Sequence, residues 1–350
     1  MTPIRLIQVG LGGWGRDWAR LLTRNADLAQ TVAHVDMQPA MLQQLQADNG
    51  TAAELCFPSL EAALATCEAD AVLVTTALGG HIPVALAALE AGKHVLVEKP
   101  FAPSLADARR AVDLAAERGL VLMVSQNYRF FPAAQTAAAL VRSGALGAVG
   151  GASVQFRKYA NTEPRDTHWH YKLRQPLLED MAIHHYDLMR FVLGQEPVSV
   201  SCAAWNPPWS HFQEPAAAAA TISFDGGAVV DYRGSWVSTG APTTWSGEWQ
   251  IECADGIIAW TGRDDRGAGA DAVTVRPRGK RARRVELPAL ERIDRAGSLA
   301  AFVQAIAANA EPTASGRDNM GSLALMFATV EAASTGRPQS VRQALVEALA

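Results

Sequence analysis

Along the first third of the chain, apolar residues come in short continuous runs rather than alternating with polar ones. Residues 4–9, 31–35, 71–74, 95–97 and 121–124 have the length and make-up of strands buried on both faces, and a short strand near Leu55, third in order, makes six. Helical stretches fall between them: 14–22, 40–48, one to residue 66 behind Ser59, one opened by His81 and stopped at Gly92, and one behind Ser104 that ends near Gly119. Repeated strand and helix predict a doubly wound parallel sheet. From about residue 149 the period changes to two, at 153–159, 198–202, 221–224, 229–233, 249–253 and 271–276, which predicts a large, mainly antiparallel sheet. One helix, 178–193, stopped by Gly194, interrupts these strands, and two more follow at 298–308 and 319–335. The expected fold is therefore α/β. A doubly wound α/β domain fills 1–125, and an α+β domain fills 126–350, its last helices packing back on the first domain.

Size agrees with two domains, since 350 residues exceed one usual core. A net charge of -4 and a pI near 6.1 give no electrostatic case for nucleic acid or an anionic membrane, so the expected partner is a small molecule. Cys56, Cys67, Cys202 and Cys253 are widely separated and form no ligand cluster, so neither a disulfide framework nor a metal site is expected. With no leader pattern and no run of ~18 apolar residues, the cytoplasm is the default expectation. Seven of nine tryptophans follow residue 168, a bias read as a sheet interface for most of them, with sugar stacking as the alternative.

Three stretches carry candidate chemistry. Gly10, Gly12, Gly13, Trp14 and Gly15 form a G-x-G-x-x-G loop between a strand and a helix, the context in which backbone N–H groups take a pyrophosphate. Asp36 ends the second strand about twenty residues further on, where an acid receives both ribose hydroxyls and repels a 2′-phosphate. Met37 follows it in place of an arginine, so NAD is expected and NADP is less favoured. After the fourth strand Thr75 and Thr76 are small enough for close cofactor approach, and His81 is read as a helix-start residue or a cofactor contact. The fifth strand ends in Glu98-Lys99-Pro100, which places an ammonium at the carboxyl end of a parallel strand, with Glu98 able to hold it or a ribose hydroxyl. Asn127 and Arg129 follow the sixth strand.

On the interrupting helix, Asp180 and His184 are four apart and share a face, with Asp187 a turn later, whereas His185 points elsewhere and pairs in position with Met181. A carboxylate beside an imidazole orients it and raises its basicity. Trp169 could stack on a sugar and Arg174 could bind a carboxylate.

In order along the chain, the glycine loop, Glu98-Lys99-Pro100 and Asp180-x-x-x-His184-x-x-Asp187-Leu188 resemble the glucose-fructose oxidoreductase/inositol dehydrogenase (Gfo/Idh/MocA) family. The resemblance implies an NAD-dependent dehydrogenase acting on a secondary alcohol of a sugar, inositol or related polyol, acidic sugars included. It implies that Lys99, Asp180 and His184 are catalytic, that the stretch 127–130 lines nicotinamide and substrate, and that the protein is a homodimer or homotetramer through the antiparallel sheet. The resemblance makes 1–125 the dinucleotide-binding Rossmann domain and 126–350 the substrate-binding and oligomerisation domain; the alternative readings are a redox-neutral NAD-dependent glycosidase or lyase, of a kind found among relatives of this fold, and a non-catalytic sugar/NAD sensor. The family's usual glycine-rich run before the aspartate is here Arg174-Gln-Pro-Leu-Leu-Glu179, and its usual Thr-Pro is Thr76-Ala77.

Overall fold

The apolar runs of the first half form the strands they predict, because continuous Val/Leu/Ile sequence can be buried only between two layers of helix. The computed structural model describes residues 2–349. In order come β1 (Ile4–Val9), α1 (Gly13–Arg24), β2 (Ala29–Val35), α2 (Pro39–Asn49), β3 (Cys56–Phe57), α3 (Leu60–Thr66), β4 (Ala71–Val74), α4 (Leu78–Glu90), β5 (His94–Val97), α5 (Leu105–Glu117) and β6 (Leu122–Val124). All pair in parallel, in the order β3-β2-β1-β4-β5-β6. Two helix starts are fixed as the sequence indicates: Ser59 accepts the Ala62 N–H and Ser104 accepts the Asp107 N–H. Order reverses between β1 and β4, so the loops after these two strands flank the crevice where such sheets bind ligands.

The remaining elements are α6 (Pro132–Arg142), β7 (Val149–Arg157), α7 (Ala182–Leu193), β8 (Pro197–Trp205), β9 (Ala217–Phe224), β10 (Val229–Ser235), β11 (Glu248–Cys253), β12 (Gly256–Thr261), β13 (Ala272–Pro277), β14 (Arg283–Arg284), α8 (Asp294–Ala308), α9 (Gly316–Thr335), β15 (Gln339–Ser340) and α10 (Val341–Leu349). Nine strands form one sheet, β14-β13-β12-β11-β7-β10-β9-β8-β15, in which only β7 and β10 run parallel. By contacts the chain forms two units, Met1–Gln126 with Arg295–Met320, and Asn127–Asp294 with Gly321–Ala350.

Three expectations need correction. β12 has no counterpart in the sequence reading, because Gly256-Ile-Ile-Ala-Trp-Thr261 does not alternate cleanly; it is recruited as the hairpin partner of β11. Trp236, Trp249 and Trp260 are buried within their own unit, with Trp249 and Trp260 paired across β11 and β12 at 4.8 Å, so these three belong to a core and not to a subunit interface. The helix expected over 178–193 is two structures. Residues Pro176–Met181 make a π-helical turn, in which the Ala182 N–H reaches back five residues to the Leu177 carbonyl, and α7 begins only at Ala182. Its entry is pinned from outside: Gln175 is left-handed at φ 43, its N–H bonds Glu214 at 2.7 Å, and the Pro176 carbonyl accepts the Trp236 indole N–H at 3.0 Å.

Candidate active site

The dinucleotide loop is built by exclusion and by one buried amide. Gly10 sits at φ +97, and a Cβ there would lie 2.5 Å from the Thr76 nitrogen; at Gly15 it would lie 2.1 Å from the Gly10 carbonyl oxygen. Around Gly12 and Gly13, by contrast, a Cβ would meet nothing within 4 Å, which leaves the N-terminus of α1 open to a ligand. Beneath the loop, the fully buried Gln8 donates to the Gly15 carbonyl at 2.6 Å, and Thr75 Oγ1 donates to the Gly10 carbonyl at 2.6 Å. Sequence reasoning passed over Gln8; the available signal was a polar residue inside an otherwise apolar strand. Burial pushes its neighbour His34 down to about 4, so a neutral His34 donates from Nδ1 to Gln8 Oε1.

Asp36 accepts N–H groups from Leu11 (2.8 Å) and Gln38 (2.9 Å), which aims its carboxylate while leaving lone pairs for ribose hydroxyls. Met37 is exposed beside it. A close-approach loop, an open helix N-terminus and an oriented acid together fit a dinucleotide.

Four of the residues expected to touch cofactor are committed elsewhere in the structure. Thr75 serves the loop. His81 is buried with Nδ1 2.8 Å from the Pro100 carbonyl and Nε2 3.1 Å from the Thr76 carbonyl, so it ties the segment after β4 to the segment after β5. Glu98 is buried, and accepts the Trp18 indole N–H at 2.7 Å and the Lys99 N–H at 3.1 Å. Asn127 is buried and its amide donates to Asp294. Lys99 stands half-buried at the end of β5, and the Lys99-Pro100 peptide is cis.

In the second unit, His184 lies on the first turn of α7 with its ring flat against Tyr128, centroids 4.0 Å apart and planes within 5°. Tyr128 is fixed in turn by Arg263, whose Nη1 donates to its hydroxyl at 2.7 Å, and burial pushes its pKa well above that of a free phenol. Tyr128 entered the sequence reading only within the stretch 127–130 and Arg263 not at all, since Tyr128 meets His184, and Arg263 meets Tyr128, only through folding. The π turn shifts Asp180 off the register of an uninterrupted α-helix, and its carboxylate lies 3.8 Å from Nε2 of His170. His170 stands edge-on to Phe212 and Trp236. His185 is separate, as its position predicts: wholly buried, with Nε2 at 2.9 Å from the Trp245 carbonyl and Nδ1 at 3.1 Å from the Tyr232 hydroxyl.

Two cations expected near substrate, Arg129 and Arg174, are paired with carboxylates. Arg129 and Asp187, 4% and 1% exposed, form two bonds of 2.6 Å, and Ser322 links Asp187 to Arg190, itself paired with Glu196. Arg174 holds Glu179 at 2.6 Å, which raises the guanidinium's pKa, and Arg165 donates to the Pro208 carbonyl. Trp169 is two-thirds exposed and remains open to a ligand.

Residues 4–126 match the oxidoreductase family with the NAD-binding Rossmann fold, and residues 134–259 match the GFO/IDH/MocA C-terminal domain. The chain belongs to the Gfo/Idh/MocA oxidoreductase family. As a member it is an NAD-binding oxidoreductase, and its relatives agree. The 1,5-anhydro-D-fructose reductase of Ensifer adhaerens is 28% identical over 82% of this chain and 84% of its own length. Inositol 2-dehydrogenase of Rhizobium meliloti is 29% identical over 57% and 58%. Among solved structures, an oxidoreductase of Agrobacterium radiobacter in complex with NAD+, L-tartaric acid and magnesium superposes with a TM-score of 0.84 at 20% identity, covering 98% of this chain and 99% of that one, a likeness of fold. Among the described residues of this family member, no group of three or more His, Cys, Asp or Glu could hold a metal ion, and no helix is long and apolar enough to cross a membrane.

Proposed function

We propose that this chain is an NAD-dependent dehydrogenase that interconverts a secondary alcohol and a ketone on a neutral sugar, inositol or related polyol. The observation that carries the reading is His184, a histidine held flat on Tyr128 at the start of α7 in a chain whose other unit holds a complete dinucleotide loop. When bound, NAD supplies the hydride acceptor, held by the open N–H groups of α1 and by Asp36. His184 takes the hydroxyl proton as general base, and its stack on Tyr128 fixes the plane in which that proton is received. Lys99 stabilises the alkoxide that develops as the proton leaves. Asp180 and His170 form a second polar pair that orients the substrate hydroxyls. A neutral substrate is favoured over an acidic one because Arg129 and Arg174 are already paired with carboxylates.

NAD reduction measured against matched neutral and acidic polyols and aldoses tests the proposal. Neutral members should turn over, and His184→Ala should lower the rate by about 100-fold to 10,000-fold with NAD binding kept. Turnover of sugar acids alone, or a His184→Ala enzyme of undiminished rate per folded molecule, would refute it.

A further inference from the structure

Arg295, the second residue of α8, carries its guanidinium over the ring of Trp14, with Cζ 4.2 Å from the ring centroid, and 5.5 Å from that of Trp18. Trp14 is itself a residue of the dinucleotide loop. The Nε and Nη1 atoms of Arg295 are buried and have no hydrogen-bond partner. Arg295 as a whole is half-buried, but these two donors are costly, since N–H groups that lose water without gaining an acceptor are left uncompensated. The buried carboxylate of Glu98 accepts from Trp18 and from the backbone of Lys99, and no ion pair joins it to Arg295 among the described residues. Aromatic stacking holds the planar fork in place but offers its edge no acceptor.

What is lacking in this corner is an anion with several acceptor oxygens, and the loop beside it is shaped to receive one. Gly12 and Gly13 leave the first turn of α1 open, Gly12 caps it with no side chain, and no acidic residue occupies that turn. We infer that Arg295 is a cofactor-positioning residue whose guanidinium donates to the pyrophosphate of NAD, complementing the backbone N–H groups of α1 from a segment far away in sequence. A guanidinium suits this because its paired N–H groups match two phosphate oxygens at once, which an ammonium does not. Stacking on Trp14 then has a purpose. It keeps the fork assembled before the cofactor arrives, and so reduces the ordering cost of binding.

Calorimetric titration of the ligand-free protein with NAD, ADP-ribose and adenosine, for the unmodified chain, Arg295→Met and Arg295→Lys, tests the inference without any turnover. NAD binding to the unmodified chain checks the cofactor independently of Arg295. In Arg295→Met, NAD and ADP-ribose should both bind about 10-fold to about 100-fold more weakly while adenosine is unaffected, as expected for losing a charge-assisted contact to phosphate. Arg295→Lys keeps the charge and loses the fork, and should fall between the two. Loss of affinity for NAD but not for ADP-ribose would move the contact to the nicotinamide end and overturn the assignment. So would unchanged NAD affinity in both variants, or equal weakening of adenosine together with a lowered melting temperature, which would make Arg295 a packing residue. Should Arg295→Met not fold, the same comparison in Arg295→Lys decides.

Discussion

Asp187→Ala isolates the charge of Arg129 inside the second unit. The carboxylate takes Nε and Nη2 of Arg129 at 2.6 Å each, and the Ser322 hydroxyl at 3.0 Å, with both charged partners almost wholly out of water. Its removal leaves a buried cation whose strongest acceptors have gone, a change that costs about 3–5 kcal/mol. At a urea slope of roughly 2–3 kcal/mol/M, the unfolding midpoint should fall by about 1–2.5 M. Replacing both partners by apolar residues of similar size, Arg129→Met with Asp187→Leu, removes the orphaned charge as well, and should recover most of the loss. Urea unfolding followed by tryptophan fluorescence measures all three variants, with turnover normalised to folded protein. If Asp187→Ala costs less than about 1 kcal/mol yet abolishes turnover, the pair serves substrate and the structural reading is wrong.

Acid should destabilise the chain through buried histidines. Burial pushes His34 and His185 down to about 4, while in the unfolded chain they titrate near 6.5. Between those values the unfolded state binds protons that the folded state refuses, so stability is complete above pH 6.5 and falls as pH drops towards 4, by roughly 2 kcal/mol per histidine at pH 5. Equal stability at pH 7.5 and pH 5 would contradict this. For cofactor choice, NAD should bind more tightly than NADP, and Asp36→Ala should narrow the gap; side-by-side titrations in which the unmodified chain prefers NADP would sink that reasoning.

The sequence by itself determined whatever depends on near neighbours along the chain. Buried parallel strands show as unbroken apolar runs, Ser59 and Ser104 mark helix starts by their hydroxyls, and Gly10, Gly12 and Gly15 are legible because a tight turn and a close backbone approach need glycine at that spacing. The structure gives the adjacent His184 and His185 different surroundings, as consecutive helix positions require, although the face that the sequence shares between His184 and Asp180 is broken by the π turn.

Tertiary structure decided which polar groups remain for chemistry, because a side chain's partner is set by packing between segments distant in sequence. Arg129, Asn127, Glu98 and Thr75 look available on paper and are engaged by Asp187, Asp294, Trp18 and Gly10. The π turn at 176–181 is likewise invisible locally. It is imposed by Glu214 and Trp236, which hold its entry from other segments, and it brings Asp180 beside His170. Arg295 and Trp14 lie near opposite ends of the chain, and no spacing rule connects them; only the fold brings an arginine with unsatisfied donors to the loop that holds the cofactor.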